Sequence, residues 1–214
     1  MNYLVERRQE EKERRRADIL DAAEAVAGAV GVDAMTMDQV ARKARLSRAL
    51  LYVYFQDKSD LLFGLCNRAL DQLHLRFVEA VARHREGIRQ VEACGRAYVA
   101  FAQEFPVYFE ALSRFEAHSP DPNAEIGNEG ACVLAGERVH AVLIAALELG
   151  MRDGTIRADA GPAPLISVTL WAFLHGVIQL ASTKATLLAH DGITMQHLVD
   201  QALLMCARSL AQPG

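Results

Sequence analysis

Aromatic residues are scarce in this chain, 7% of 214, and it has only six prolines and four cysteines. Each shortage excludes something. Few aromatics beside a 51% hydrophobic fraction dominated by Ala and Leu argue against a sheet-based core and for helices throughout. Five of the prolines fall at apparent helix boundaries or in the tail, and no segment alternates with period two between hairpin turns. Cys66, Cys94, Cys132 and Cys206 are far apart with no C-x-x-C pair, which reads as reduced packing thiols rather than disulfides or zinc ligands. Met1 to Arg16 carries both charge signs and no apolar core of a signal peptide, so a cytoplasmic location is expected. Missing too are H-E-x-x-H, G-x-S-x-G, a P-loop and G-x-G-x-x-G. The expectation is an all-α protein that is not an enzyme and holds no cofactor.

Two features complicate that picture. Glu137 and His140 form an E-x-x-H on an expected helix, the unit of di-iron carboxylate bundles, but such sites need a second pair and two further glutamates. A metal-dependent helical enzyme therefore stays as a remote alternative, with no metal ligands assigned. From Ala160 to Thr183 there is no Asp, Glu, Lys or Arg, long enough to suggest a membrane span. Pro162 and Pro164 open it, and Ser167, Thr169, His175, Gln179 and Ser182 interrupt it. A helix covered in a core or a subunit interface accounts better for that content.

What is present is concentrated between Thr36 and Lys58, TMDQVARKARLSRALLYVYFQDK. Thr36 can cap a helix that presents Val40, Ala41 and Ala44 on one side. Ser47 can cap a second, with Leu50, Leu51 and Tyr54 following at offsets of three, four and seven. The break at Arg45-Leu46 is short enough to make the helices cross steeply, as in a helix-turn-helix that places its second helix in a major groove. The net charge is −4, yet this stretch holds Arg42, Lys43, Arg45, Arg48 and Lys58 against Asp38 and Asp57, a local +3. Counterion release is a local effect, so a globally acidic chain with a basic reading module suits specific DNA binding.

The same stretch resembles the DNA-binding domain of tetracycline-repressor (TetR) family regulators. The resemblance lies in Thr36, Val40-Ala41, Ala44-Arg45-Leu46-Ser47, Tyr52-Val53-Tyr54-Phe55 and Lys58-Ser59-Asp60-Leu61. Arg45 and Ala49 stand where the family usually has glycines, and Leu50 replaces a common small or hydroxyl residue, so an operator sequence does not carry over from relatives. The resemblance implies an N-terminal helix-turn-helix domain, residues 1–57, and a C-terminal helical domain, residues 58–214, for effector binding and dimerisation.

Arg48, at the start of the second helix, is the candidate base reader, because Arg bonds guanine O6 and N7 in bidentate fashion. Ala49 or Leu50 could touch a thymine methyl. Tyr52 resembles the family's backbone-contacting tyrosine; Thr36, Ser47, Tyr54 and Lys58 are further phosphate candidates, and Arg45 completes the set. Phe55, with no polar handle, reads as core, and Tyr54 fits either role. Arg7, Arg8 and the run Arg14 to Arg16 could form an arm on DNA, or an exposed helix paired with Glu6, Glu10, Glu11 and Glu13.

Helices are expected over Gln9–Val30, from Lys58 or Asp57 onward, and over Glu86–Glu104, Val107–His118, Ala124–Met151, Pro164–Leu188 and Thr194–Leu210. Ser119 to Asn123 and Arg157 to Pro162 read as loops. The last two helices, with Ala172 and Gly176 four apart, are the expected homodimer interface, which a palindromic double-stranded operator would require. Phe77, Tyr98, Phe101, Phe105, Tyr108, Phe115, Trp171 and His175 are candidates to line a pocket for a small, largely apolar effector, with His118, His140 and Gln179 as polar anchors. The family's usual behaviour implies a repressor released by that effector. The runner-up is a non-specific helical DNA binder without ligand control.

Overall fold

The computed structural model describes residues 3–116 and 127–212. Among them are ten helices, numbered in chain order: α1 (Tyr3–Val30), α2 (Met37–Lys43), α3 (Arg48–Tyr54), α4 (Lys58–Val81), α5 (Gly87–Glu104), α6 (Pro106–Glu116), α7 (Asn128–Asp153), α8 (Ala163–Thr183), α9 (Ala185–His190) and α10 (Met195–Leu210). There is no strand among the described residues beyond an isolated bridge between Ile156 and Ala211. The chain is all-α, and it divides into two compact units.

One unit takes residues up to 70 and 105–134: α1 to α3, the first half of α4, α6 and the start of α7. Its core grows from one face of α1, where Ile19, Leu20, Ala23 and Ala27 are buried; Val30, the last residue of the helix, is 44% exposed. Gly31 ends α1 with φ 85°, a conformation open to glycine. Val40, Ala41, Leu51, Phe55, Leu61 and Leu65 complete the interior. At Gly64 a Cβ would stand 2.9 Å from the Phe55 ring and 3.0 Å from Leu20, so the missing side chain lets α4 approach both. Asp57 caps α4, its carboxylate accepting from the Asp60 N–H at 2.8 Å, while Asp60 accepts from the Gln56 N–H at 2.9 Å.

The other unit takes residues 71–104 and 135 onward: the rest of α4, α5, most of α7, and α8 to α10. Leu73, Phe77, Tyr98, Phe101, Leu143 and Leu147 are buried, as are Leu174 and Ile178 on α8 and Val199 and Ala202 on α10. The start of α5 crosses α7 backbone to backbone: a Cβ on Gly87 would lie 2.0 Å from the Gly150 nitrogen. The exposed donors at that end of α5 are met by Asp153, which accepts from the Gly87 N–H at 2.8 Å, and Thr155, which accepts from the Ile88 N–H at 3.1 Å.

Several boundaries differ from expectation. α1 begins at Tyr3 rather than Gln9, with Glu6 in its first turn, where the helix N-terminus favours a carboxylate. The helix expected over Pro164–Leu188 stops at Thr183 and resumes as α9. Ser182 and Thr183 turn their hydroxyls back onto the carbonyls of Ile178 and Gln179, at 3.0 and 2.8 Å, an alternative to the helical ladder that weakens the end of α8. His118, the loop Ser119 to Asn123 and the expected start at Ala124 lie outside the described residues. By length and composition alone, α7 and α8 are each long and apolar enough to cross a membrane; 39% and 28% of their most apolar stretches are buried.

Candidate nucleic-acid interface

The turn between α2 and α3 is built from local chemistry. Thr36 opens α2 with a capping box: its hydroxyl accepts from the Gln39 N–H at 3.3 Å, and Gln39 Oε1 accepts from the Thr36 N–H at 2.8 Å. α2 closes in a Schellman arrangement, Arg45 N–H to the Arg42 carbonyl at 3.2 Å and Leu46 N–H to the Ala41 carbonyl at 2.9 Å. That closure needs a left-handed residue, and Arg45 supplies it with φ 56°, alone among the described non-glycine residues in having positive φ. Ser47 then caps α3, accepting from the Leu50 N–H at 3.2 Å. Thr36 and Ser47 thus have their oxygens turned toward their own helices.

α3 is anchored by Leu51, fully buried, and by Phe55 just beyond its end. Phe55 is fully buried, a core residue as its lack of a polar group implied, and the Arg16 guanidinium lies 5.2 Å from its ring centroid. Arg48, Ala49, Leu50, Tyr52 and Val53 are exposed together, Val53 at 73%, and Tyr54 is half-buried. Lys58 is also half-buried, and its Nζ donates to the Asp33 carbonyl at 2.6 Å, tying the start of α4 to the segment ahead of α2.

Arg48 already has partners. Its Nε lies 3.2 Å from Asp38 Oδ1, its Nη1 3.5 Å from Oδ2, and its guanidinium carbon 5.6 Å from the Tyr52 ring centroid. The Tyr52 hydroxyl and the Asp38 carboxylate together raise its pKa above the ordinary arginine value. Sequence reasoning missed the Asp38 contact, since ten positions separate the two and no local motif joins them. Gln39 was missed as well, although its place three after Thr36 is the spacing of a capping box.

The aromatic candidates for an effector site do not form one group. Phe105 stacks on Tyr108 (5.7 Å, 15°) and Phe115 meets Phe63 edge-on (5.9 Å, 87°), all in the unit that holds the helix-turn-helix. Tyr108 donates to Glu24 at 2.7 Å; burial, then that bond, push its pKa up to about 12. Phe77, Tyr98, Phe101, Trp171 and His175 lie in the other unit. There the Tyr98 hydroxyl and His175 Nδ1 are 2.8 Å apart, and Trp171 lies edge-on to His140 at 5.5 Å. His140 Nδ1 and the Ser167 hydroxyl are 2.7 Å apart, and burial lowers the His140 pKa. Gln179 is exposed, and His118 is outside the described residues.

A groove of about 590 Å³ in this second unit runs between the later part of α4, the start of α5 and α7. Val78, Val81, Ala141, Val142 and Leu149 line it, with Arg138 and Arg152 among its polar residues. Those arginines pair with Asp71 (2.7 Å) and Glu148 (3.8 Å). None of the aromatics singled out from the sequence lines it. No cluster of three or more metal-ligating side chains occurs among the described residues.

Comparison with known proteins places both parts of the chain. Residues 19–65 match the family of bacterial regulatory proteins described as tetR family, and residues 91–204 match the tetracyclin repressor-like C-terminal domain. The HTH-type transcriptional regulator HbdR of Aromatoleum sp. (strain CIB) is 36% identical over 76 residues, which span 36% of this chain and 31% of that protein. A solved structure of a protein of unknown function from Rhodococcus sp. RHA1 superposes with a TM-score of 0.72 at 25% identity, over 92% of this chain and 95% of that one. AibR, solved in complex with isovaleryl coenzyme A and operator DNA, shares the fold with a TM-score of 0.62 at 18% identity, over 89% of this chain and 97% of its own. With both domains matched, the second over more than half of its length, the chain belongs to the TetR family of transcriptional regulators.

Proposed function

We propose that this regulator is a repressor that binds a palindromic operator as a homodimer and leaves it when a small, largely apolar effector binds to residues 58–214. The observation that carries the DNA reading is the exposed face of α3, where Arg48, Ala49, Leu50 and Tyr52 stand on a fully buried Leu51. A side chain that reads bases has to be exposed on a helix whose opposite side is locked, and α3 meets both conditions. Arg48 is the base reader, Ala49 and Leu50 contact bases by their apolar side chains, and Tyr52, Arg45 and Tyr54 contact phosphates with Thr36 and Ser47. Lys58 acts chiefly as a clamp on Asp33, with phosphate as a second partner.

Dimerisation follows from α8 and α10. No charged residue occurs from Ala163 to Thr183, yet Leu165, Val168, Phe173 and Leu180 are exposed, with Leu204 and Met205 on α10. Apolar area of that extent on a DNA-binding regulator calls for a cover, and a second copy supplies it together with the two-fold symmetry of an operator. Ala172 and Gly176 on the same helix allow close approach. A bilayer is a poorer cover, since Thr169 and Gln179 are exposed on that helix too. A sedimentation experiment on the purified protein at micromolar concentration is expected to give a dimer; a monomer counts against this part.

For the effector, the groove beside α7 offers an apolar floor with arginine at its rim. The floor suits the largely apolar part of the effector, a short acyl chain, and the arginines an anionic group attached to it, as in the isovaleryl coenzyme A with which AibR was solved. Tyr98, Trp171 and His175 would shape the same unit from within. Selection of binding sites from a random DNA pool is the deciding experiment. A two-fold palindrome supports the reading, and acyl-coenzyme A thioesters should then lower operator affinity. Weak, salt-sensitive binding with no enriched site would favour the non-specific binder instead.

A further inference from the structure

The first turns of α1 are a helix with no core to pack on, since residues 5–14 are all exposed. α1 begins at Tyr3 while the match to the tetR-type domain begins at residue 19, so about four turns of helix lie outside the family's own pattern. Their charges are sorted by side. At about 100° per residue, Arg8, Lys12 and Arg15 fall within about 60° of one another, and Glu6, Glu10 and Glu13 within about 60° on nearly the opposite side. The stability of the helix alone does not account for this. Arg8 and Lys12, like Glu6 and Glu10, are like charges four apart, a spacing that opposes a solvated helix, where opposite signs would support it. The two strips also continue into the domain beside different neighbours. Asp21 and Glu24 prolong the acidic one and lie 2.5 and 3.9 Å from Arg68 on α4. Arg16, one turn after Lys12, lies against the Phe55 ring at the end of α3. The basic strip therefore leaves the domain beside the turn from α3 to α4, where Tyr54 and Lys58 stand.

We propose that the first turns of α1 are a second DNA-contacting surface, a helical extension that lays Arg8 and Lys12 on the phosphates flanking the half-site read by α3. Arg15 pairs with Glu11 at 3.6 Å and Asp18 at 4.0 Å, which leaves Arg8 and Lys12 as the strip's cations without an ion pair among the described residues. A polyanion supplies the opposite charge along the whole strip. Phosphates carry no base sequence, so the surface adds affinity and salt dependence without base preference. The proposal rests on α3 as the DNA-reading helix.

The test titrates the full chain by fluorescence anisotropy, over a range of salt, against its selected operator. One duplex carries an extra helical turn of DNA at each end, and a second is trimmed to the operator's outer base pairs. Each phosphate contact contributes about 0.9 to the slope of log K against log salt, and roughly eight-fold to affinity at about 0.1 M salt. On the long duplex, Arg8→Ala and Lys12→Ala are each expected to lower the slope and the affinity by about those amounts per bound protomer. Trimming should bring wild type down to the level of the double variant, which should itself lose little. Arg7→Ala removes the same charge about 100° or more around the helix from both and should leave the slope unchanged. Alanine favours the helix, and circular dichroism checks that each variant keeps it. An equal loss with Arg7→Ala, or a loss with Lys12→Ala that persists on the trimmed duplex, overturns the proposal. So does sedimentation that finds larger oligomers dissolved by Lys12→Ala, with no dependence on the flanks, because the strip then binds a second copy. If site selection enriches no operator, the reading of α3 has failed and this proposal with it; an operator bound with an unchanged slope in the double variant removes the α1 surface alone.

Discussion

Arg45 adopts φ 56° in a turn where a glycine would be unstrained. A side chain in the left-handed region costs about 1–2 kcal/mol, while glycine there costs roughly 0.5–1 kcal/mol in unfolded-chain entropy. Arg45→Gly is therefore expected to raise stability by up to about 1 kcal/mol, read as a higher melting temperature. Its DNA affinity should fall, because the proposed binding mode places this cation beside the phosphates. A variant that binds as well as wild type would remove Arg45 from the phosphate contacts. Local chemistry of this kind is what a sequence displays best. Thr36, Ser47 and the residues of α3 were legible because caps and helical spacing act over three or four positions. The pairing of Asp38 with Arg48 and the clamp from Lys58 to Asp33 were not, since they depend on how the chain returns on itself. The left-handed conformation was signalled only through the resemblance, which has a glycine where Arg45 stands; arginine itself gives no sign of it.

At the scale of elements, α5 is held against α7 at a point with no side chain. Gly87→Ala would drive a methyl into the Gly150 backbone, 2.0 Å from its nitrogen. Overpacking of this kind costs about 1–3 kcal/mol, and here the high end is expected because the obstacle is backbone. Chemical denaturation of the variant should show that loss, and a change under about 0.5 kcal/mol would mean the helices slide freely. Helix existence was read correctly along most of the chain, since Leu and Ala repeat at helical spacing. The division of α8 from α9 was missed because it lies in the backbone of Lys184, φ −116° and ψ 20°, which hydrophobic periodicity does not show. The grouping of aromatics was missed for a similar reason: spacing shows that Phe105, Tyr108 and Phe115 face inward, but not into which unit.

For the whole molecule, His140 links stability to pH. Burial lowers its pKa below the ordinary 6.5, so the unfolded chain takes up a proton before the folded one does. Its stabilising contribution is complete above about pH 6.5 and is lost as the pH falls through that value toward the lowered pKa. Melting temperature should fall between about pH 7.5 and 5.5, and His140→Gln should flatten the slope. An unchanged slope in the variant would assign the effect to other groups.

The absence of charge along α8 has a consequence for how the protein responds to its solvent. In the proposed dimer the α8 part of the interface has no ionic group for a Debye layer to screen, and salting-out conditions tighten apolar contacts. The hold on DNA behaves in the opposite way, loosening steeply with each counterion returned to the duplex. Rising ionic strength would therefore strip the regulator from DNA before it parted the proposed dimer, and a titration with salt would take the two equilibria apart one at a time.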